Sequence, residues 1–143
     1  MKISLTRYFG NSIVTKSLLR AETSYGDIFE CEARETQFKS YTAPFAGSRM
    51  YCLPEGQLTG RIRSTAVSPL TLCIGRTLRS CCTLVAFDAK RESRAGYVLI
   101  GMADSSEPAE ERSLHSQQET CERFTDFLRK AYAMGESVEV EVK

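Results

Sequence analysis

Phe29-Glu30-Cys31-Glu32-Ala33-Arg34 alternates an apolar residue with a charged one. Successive side chains of an extended chain point to opposite faces, so this stretch predicts a strand with one buried and one charged face. Toward the N-terminus, Tyr25-Gly26-Asp27 is a turn signal, preceded by an aliphatic and β-branched run from Ile13 to Ala21. Phe9-Gly10-Asn11-Ser12 carries hairpin residues. Before it, Ile3 and Leu5 alternate with polar partners. Three strands joined by tight turns predict an antiparallel meander.

Toward the C-terminus, Thr42 to Gly60 is loop-rich, with Pro44, Gly47, Pro54, Gly56 and Gly60 around a short apolar insert, Met50 to Leu53. Leu53-Pro54-Glu55-Gly56 has the residues of a turn between strands, since Pro fixes φ and Gly accepts a positive one. Leu70, Leu72 and Ile74 mark one face of a further strand. Cys82 to Phe87 and Tyr97 to Ile100 are near-continuous apolar runs, the pattern of strands buried on both faces, with a charged loop from Asp88 to Gly96 between them. Ala103 to His115 is polar and predicts an irregular segment.

Ser116-Gln117-Gln118-Glu119 matches a capping box. Cys121, Phe124, Leu128 and Ala131 then recur at helical spacing, with Phe127 and Met134 widening the stripe and Gly135 at the C′ position. The reading is a helix over 117–134. Val138, Val140 and Val142 alternate with Glu139, Glu141 and Lys143 as a closing strand. The expected fold is mainly β (α+β). It is a single compact domain over 1–143, an antiparallel or mixed β-sheet or sandwich, with one long C-terminal α-helix and a final β-strand.

Composition bounds the chemistry. A chain of 143 residues buries enough surface to fold without a metal or disulfide. The net charge is +1, where a dedicated nucleic-acid binder shows a clear basic excess. Charge is uneven, however. Residues 61–94 hold seven cations against two carboxylates, net +5, and residues 104–143 hold five against ten, net −5. Pairing between these halves, plus solvated faces, is the expectation. No apolar run reaches the roughly 18 residues of a membrane span, and the N-terminus lacks the apolar core of a secretory signal. The expected location is therefore the cytoplasm, with no membrane or nucleic-acid partner.

Six cysteines are present, Cys31, Cys52, Cys73, Cys81, Cys82 and Cys121, with no C-x-x-C spacing among them. Neither a zinc ribbon nor a thioredoxin-type motif is written here. Cys31, Cys73 and Cys121 have apolar neighbours and read as small buried hydrophobes, while Cys81 and Cys82 on a strand would face opposite ways. No structural disulfide, metal or cofactor is expected. The phosphate-binding glycine patterns and the serine nucleophile elbow are absent. His115, the only histidine, lies beside Ser113 and Ser116, but Ser116 is better used as a helix cap.

Five pieces, Leu5-Thr6-Arg7, Phe29-Glu30-Cys31-Glu32, Leu53-Pro54-Glu55-Gly56, Gly96-Tyr97-Val98-Leu99-Ile100-Gly101 and the helix from Ser116, occur in the order seen in a bacterial and phage domain family of unknown function. Over nearly its whole length the chain resembles that family, which is distantly like the L,D-transpeptidases, where a His on one strand activates a Cys on the next. The resemblance places a vestigial site at Ala86, Gly96, Tyr97 and Gly101. Tyr97 stands where the family has Cys, and Ala86 where it has His. A thiolate mechanism needs both the sulfur and its activating base, so no catalytic residue is assigned. The implied function is a non-catalytic binding or interaction protein with a protein partner, a phage- or mobile-element-encoded accessory component. The alternative is a small cell-wall or small-molecule-modifying enzyme whose catalytic residues the sequence does not identify.

Overall fold

Alternating burial shapes the first three strands. β1 (Lys2–Gly10), β2 (Val14–Glu22) and β3 (Ile28–Thr36) form the expected antiparallel meander. Its first turn is held by Asn11 Oδ1, which accepts the backbone N–H groups of Ile13 and Val14, both at 2.8 Å. Its second turn contains Gly26 at φ +92°, a conformation that favours a residue without a Cβ. The structure, a computed structural model, describes residues 1–36, 53–64, 70–75, 83–86 and 97–143. For Thr36, residues 83–86 and Tyr97 it describes the backbone alone.

β4 (Gly56–Arg63), β5 (Thr71–Gly75), β6 (Thr83–Ala86), β7 (Tyr97–Gly101), α1 (Gln117–Ala133) and β8 (Val138–Val142) complete the described elements. The strands run in the order β1-β2-β3-β7-β6-β5-β4-β8, and β8 pairs back onto β1. The sheet is therefore a closed barrel, and closure removes the unpaired edges that an open sheet would expose. It is mixed: β1 with β8 and β6 with β7 are parallel, and the other pairs are antiparallel.

Ile3, Leu5, Leu19, Ala21, Val140 and Val142 fill the interior, joined by the inward residues of β4, β5 and β7. The helix belongs to the same core: Cys121, Phe124, Leu128 and Ala131 are buried with Phe29 and Cys31. Because β3 and β8 begin at that end of the barrel, α1 lies across the mouth where they start. Phe29 and Phe124 meet there with ring centroids 5.0 Å apart. Lys130 bonds Asp27 in the β2–β3 turn, and Glu136 accepts bonds from Ser24 and from the Met1 amino group. Among the described residues no helix is long and apolar enough to cross a membrane.

Several expectations change. Gln57 to Gly60, read as loop, is part of β4, because Gly60 is in the strand for packing: a Cβ there would lie 2.5 Å from Val138 Cγ1. Ser116 does not cap α1 with its side chain. It sits at φ 52° in the left-handed region, and its Oγ lies 2.9 Å from His115 Nδ1 instead. The Thr120 N–H and hydroxyl bond the Ser116 carbonyl. Met134 is exposed, being the C-cap beyond the buried stripe, whereas Phe127 packs against the core as expected. Gly135 takes the left-handed C′ conformation at φ 72°. Cys31, Cys73 and Cys121 are buried, as expected, and Cys31 and Cys121 are free thiols. The 42–52 stretch, Cys52, Cys81, Cys82 and the Asp88–Gly96 loop lie outside the described residues.

Candidate functional site

At the mouth opposite α1 the inward positions turn polar. Arg7, Thr15, Ser17 and Glu35 succeed the aliphatic residues, and Ser17 is paired across the sheet with both Arg7 and Ala33. Glu35 is buried and is held by the Arg7 guanidinium at 3.2 Å and by the Leu53 N–H at 2.8 Å. Burial pushes its carboxyl pKa above the ordinary value despite the pull of Arg7. Arg7 also donates to the Leu53 carbonyl, so the pair fixes the chain where it enters β4.

The outer wall beside that mouth carries a row across four strands. Phe9 pairs with Lys16, Lys16 with Arg34, and Arg34 with Leu99. The bulge between Arg7 and Phe9 is what turns Phe9 to this side. A strap, residues 103–115, runs over the row, with Met102 and His115 exchanging backbone hydrogen bonds at its base. Lys16 donates to the carbonyls of Ala109, Glu110 and Arg112, each at 2.9 Å. Those three bonds use all three protons of the ammonium. Arg34 bonds Glu32 at 2.8 Å and the Arg112 carbonyl at 3.2 Å. The Tyr8 hydroxyl donates to Glu32 at 2.6 Å, and burial together with that bond raises the Tyr8 pKa. The Arg112 guanidinium lies over the Tyr8 ring, 5.1 Å from its centroid, and donates to the carbonyls of Glu107 and Ser105.

Between the strap and the β1–β2 turn is a cleft of about 350 Å³. Its apolar lining is Ile13, Val14, Leu99 and Leu114, and Lys16, Arg34 and Arg112 also face it. Ile13 projects at the rim and is 78% exposed.

No family model, curated protein or solved structure matches the chain.

Two of the positions singled out by sequence resemblance neighbour this cleft: Ala86 is paired with its lining residue Leu99, and Gly101 lies against its lining residue Leu114. Ala86 and Tyr97 lie on the adjacent parallel strands β6 and β7, where Ala86 pairs with Leu99 and Tyr97 with Leu84. Their side chains and Gly96 lie outside the description. Gly101 has a packing reason: a Cβ there would meet the His115 carbonyl at 2.6 Å and Leu114 Cγ at 2.8 Å, so its hydrogens let the strap reach the barrel. His115 is exposed. The Cys31 and Cys121 thiols are pushed up to about 12 by burial, far from a thiolate at neutral pH. No group of three or more His, Cys, Asp or Glu among the described residues could hold a metal.

The expected pairing between the basic and acidic halves is absent from Arg61 and Arg63, which are exposed and make no ion pair with the acids of 104–143. Sequence reasoning missed Lys16, Arg34 and Arg112. Each reads as an ordinary outward charge, and only the strand register and the path of the strap bring the three together.

Proposed function

We propose that the protein is a non-catalytic interaction protein that docks a protein partner on the cleft between the β1–β2 turn and the strap. One observation carries this reading: an apolar cleft with an exposed Ile13 at its rim is bordered by the buried charges of Lys16 and Arg34, whose donors already bond the strap carbonyls and Glu32. Catalysis requires a nucleophile or base held ready for substrate. Here Lys16 is spent on the strap, Glu32 on Arg34 and Tyr8, and Glu35 on Arg7 and Leu53. A volume of about 350 Å³ is at the low end for a small-molecule site, roughly 300–1,000 Å³, and suits one or two side chains of a docked segment. An accessory component is also the role that the sequence resemblance implies.

The test is selection of a random displayed-peptide library on the full chain, on Ile13→Ser and on Tyr132→Ala. Tyr132 is exposed on α1, at the other end of the barrel. Peptides should enrich on the parent chain and on Tyr132→Ala and enrich markedly less on Ile13→Ser. Failure of any peptide to enrich, or enrichment indifferent to Ile13, overturns the proposal.

A further inference from the structure

Lys16 and Arg34 stand directly opposite each other on neighbouring strands. Like charges at such positions destabilise a sheet, so their juxtaposition on a half-covered wall calls for a reason. Arg34 has a carboxylate partner in Glu32 at 2.8 Å. Among the described residues Lys16 and Arg112 make no salt bridge; Lys16 donates to three strap carbonyls, and Arg112 to the carbonyls of Glu107 and Ser105 beside Tyr8. A carbonyl satisfies a hydrogen bond without cancelling a charge. Glu35 also faces the cleft, but Arg7 already neutralises it. The strap acids Asp104, Glu107, Glu110 and Glu111 are exposed, so water and salt weaken the pull of Glu107 on Lys16 and of Asp104 on Arg112. Among the described residues, Lys16, Arg34 and Arg112 face the cleft, while the buried carboxylates beside them, Glu32 and Glu35, are already engaged by Arg34 and Arg7, so positive charge is in excess beside an apolar floor. Desolvation, with the neighbouring Arg34 and Arg112, lowers the Lys16 pKa against the opposing pull of Glu32 and Glu107.

We infer that the cleft recognises an acidic segment of its protein partner, with an apolar side chain seated against Val14, Leu99 and Leu114 and an adjacent carboxylate facing Lys16, Arg34 and Arg112. This rests on the interaction reading above and specifies the partner's chemistry. The apolar contact supplies the anchor. The carboxylate supplies the missing countercharge, which gives specificity and a faster encounter more than raw affinity. Because Lys16 has no proton to spare, its contribution is the field of its charge, and Arg112 at the edge of the strap is the group that can adjust to meet a ligand oxygen.

The experiment uses the full chain and two displayed libraries built around a central Leu, Ile or Phe. One carries only Asp and Glu as charged residues, the other only Lys and Arg. The acidic library should enrich and the basic one should not. Enriched peptides, synthesised with a fluorophore, are then titrated against Ile13→Asp and Ile13→Lys. Both variants remove the same rim contact at an exposed position, so their difference isolates charge. Binding should be about tenfold weaker to Ile13→Asp than to Ile13→Lys at low salt, and the gap should close at high salt. A single-stranded oligonucleotide is the competitor. Enrichment of both libraries alike, equal binding to the two variants, or displacement by the oligonucleotide overturns the inference while leaving a docking cleft. If neither library enriches, the interaction reading fails and the inference with it.

Discussion

Replacing Phe124 with Ala removes the side chain on which the sealing of the barrel by α1 depends. Phe124 is 2% exposed and forms a triangle of rings with Phe29, centroids 5.0 Å apart, and Phe127, 6.4 Å away. Returning one such ring to water costs about 1.5–3 kcal/mol from its area alone, and losing the tilted contact with Phe29 adds about 0.5–1.5 kcal/mol. The void left behind adds more, because one of its walls is the rim of a closed sheet that cannot collapse inward. The sum falls in the range of about 3–5 kcal/mol usual for Phe to Ala in a core. For a chain of this length that lowers Tm by about 10–15 °C. In urea, with a slope of about 2 kcal/mol/M, the midpoint drops by about 2 M while the slope itself stays constant. Phe127→Ala is the internal control. It is only half-buried at the edge of the same cluster and should cost less than half as much. A loss below about 1 kcal/mol at Phe124, or a larger loss at Phe127, would refute the sealing role of the helix.

Three further outcomes follow from the geometry. Gly101→Ala should destabilise by about 1–3 kcal/mol, and hydrogen exchange at the Met102 and His115 amides should speed up selectively, since the new Cβ pushes the strap off the barrel. Glu35 holds its proton to a higher pH in the folded chain than in the unfolded one, so its contribution to stability falls as pH rises from 4.5 through the raised value. Glu35→Gln should abolish that dependence in urea titrations across pH, and a variant as pH-dependent as the parent would contradict it. Glu136 is the opposite case. Bonds from the Met1 amino group and Ser24 pull its pKa down to about 2, so its contribution is lost as pH falls from 4.5 through 2, and Glu136→Gln should make acid unfolding shallower in that window.

Burial on one face writes itself locally, and that is why so much of the fold is visible in the chain. Phe29, Cys31 and Ala33, the valines of β8, and Cys121, Phe124, Leu128 and Ala131 on α1 each needed only a period of two or of three to four residues to be assigned, and all are buried. Turn chemistry at Asn11, Gly26 and Gly135 was equally local. Closure of the barrel was not. The parallel pairing of β1 with β8 joins residues from opposite ends of the chain and leaves no local mark on either strand. The role of Gly60 depends on Val138, and the strained backbone of Ser116 accompanies its side chain's bond to His115 rather than a cap. The candidate cleft lies wholly on this second level. Lys16, Glu32, Arg34 and Glu35 are charged residues that a sequence assigns to solvent, because burying a charge is costly unless distant groups satisfy it. Those groups, the strap carbonyls over Lys16 and Arg7 beside Glu35, are brought in only when the chain folds.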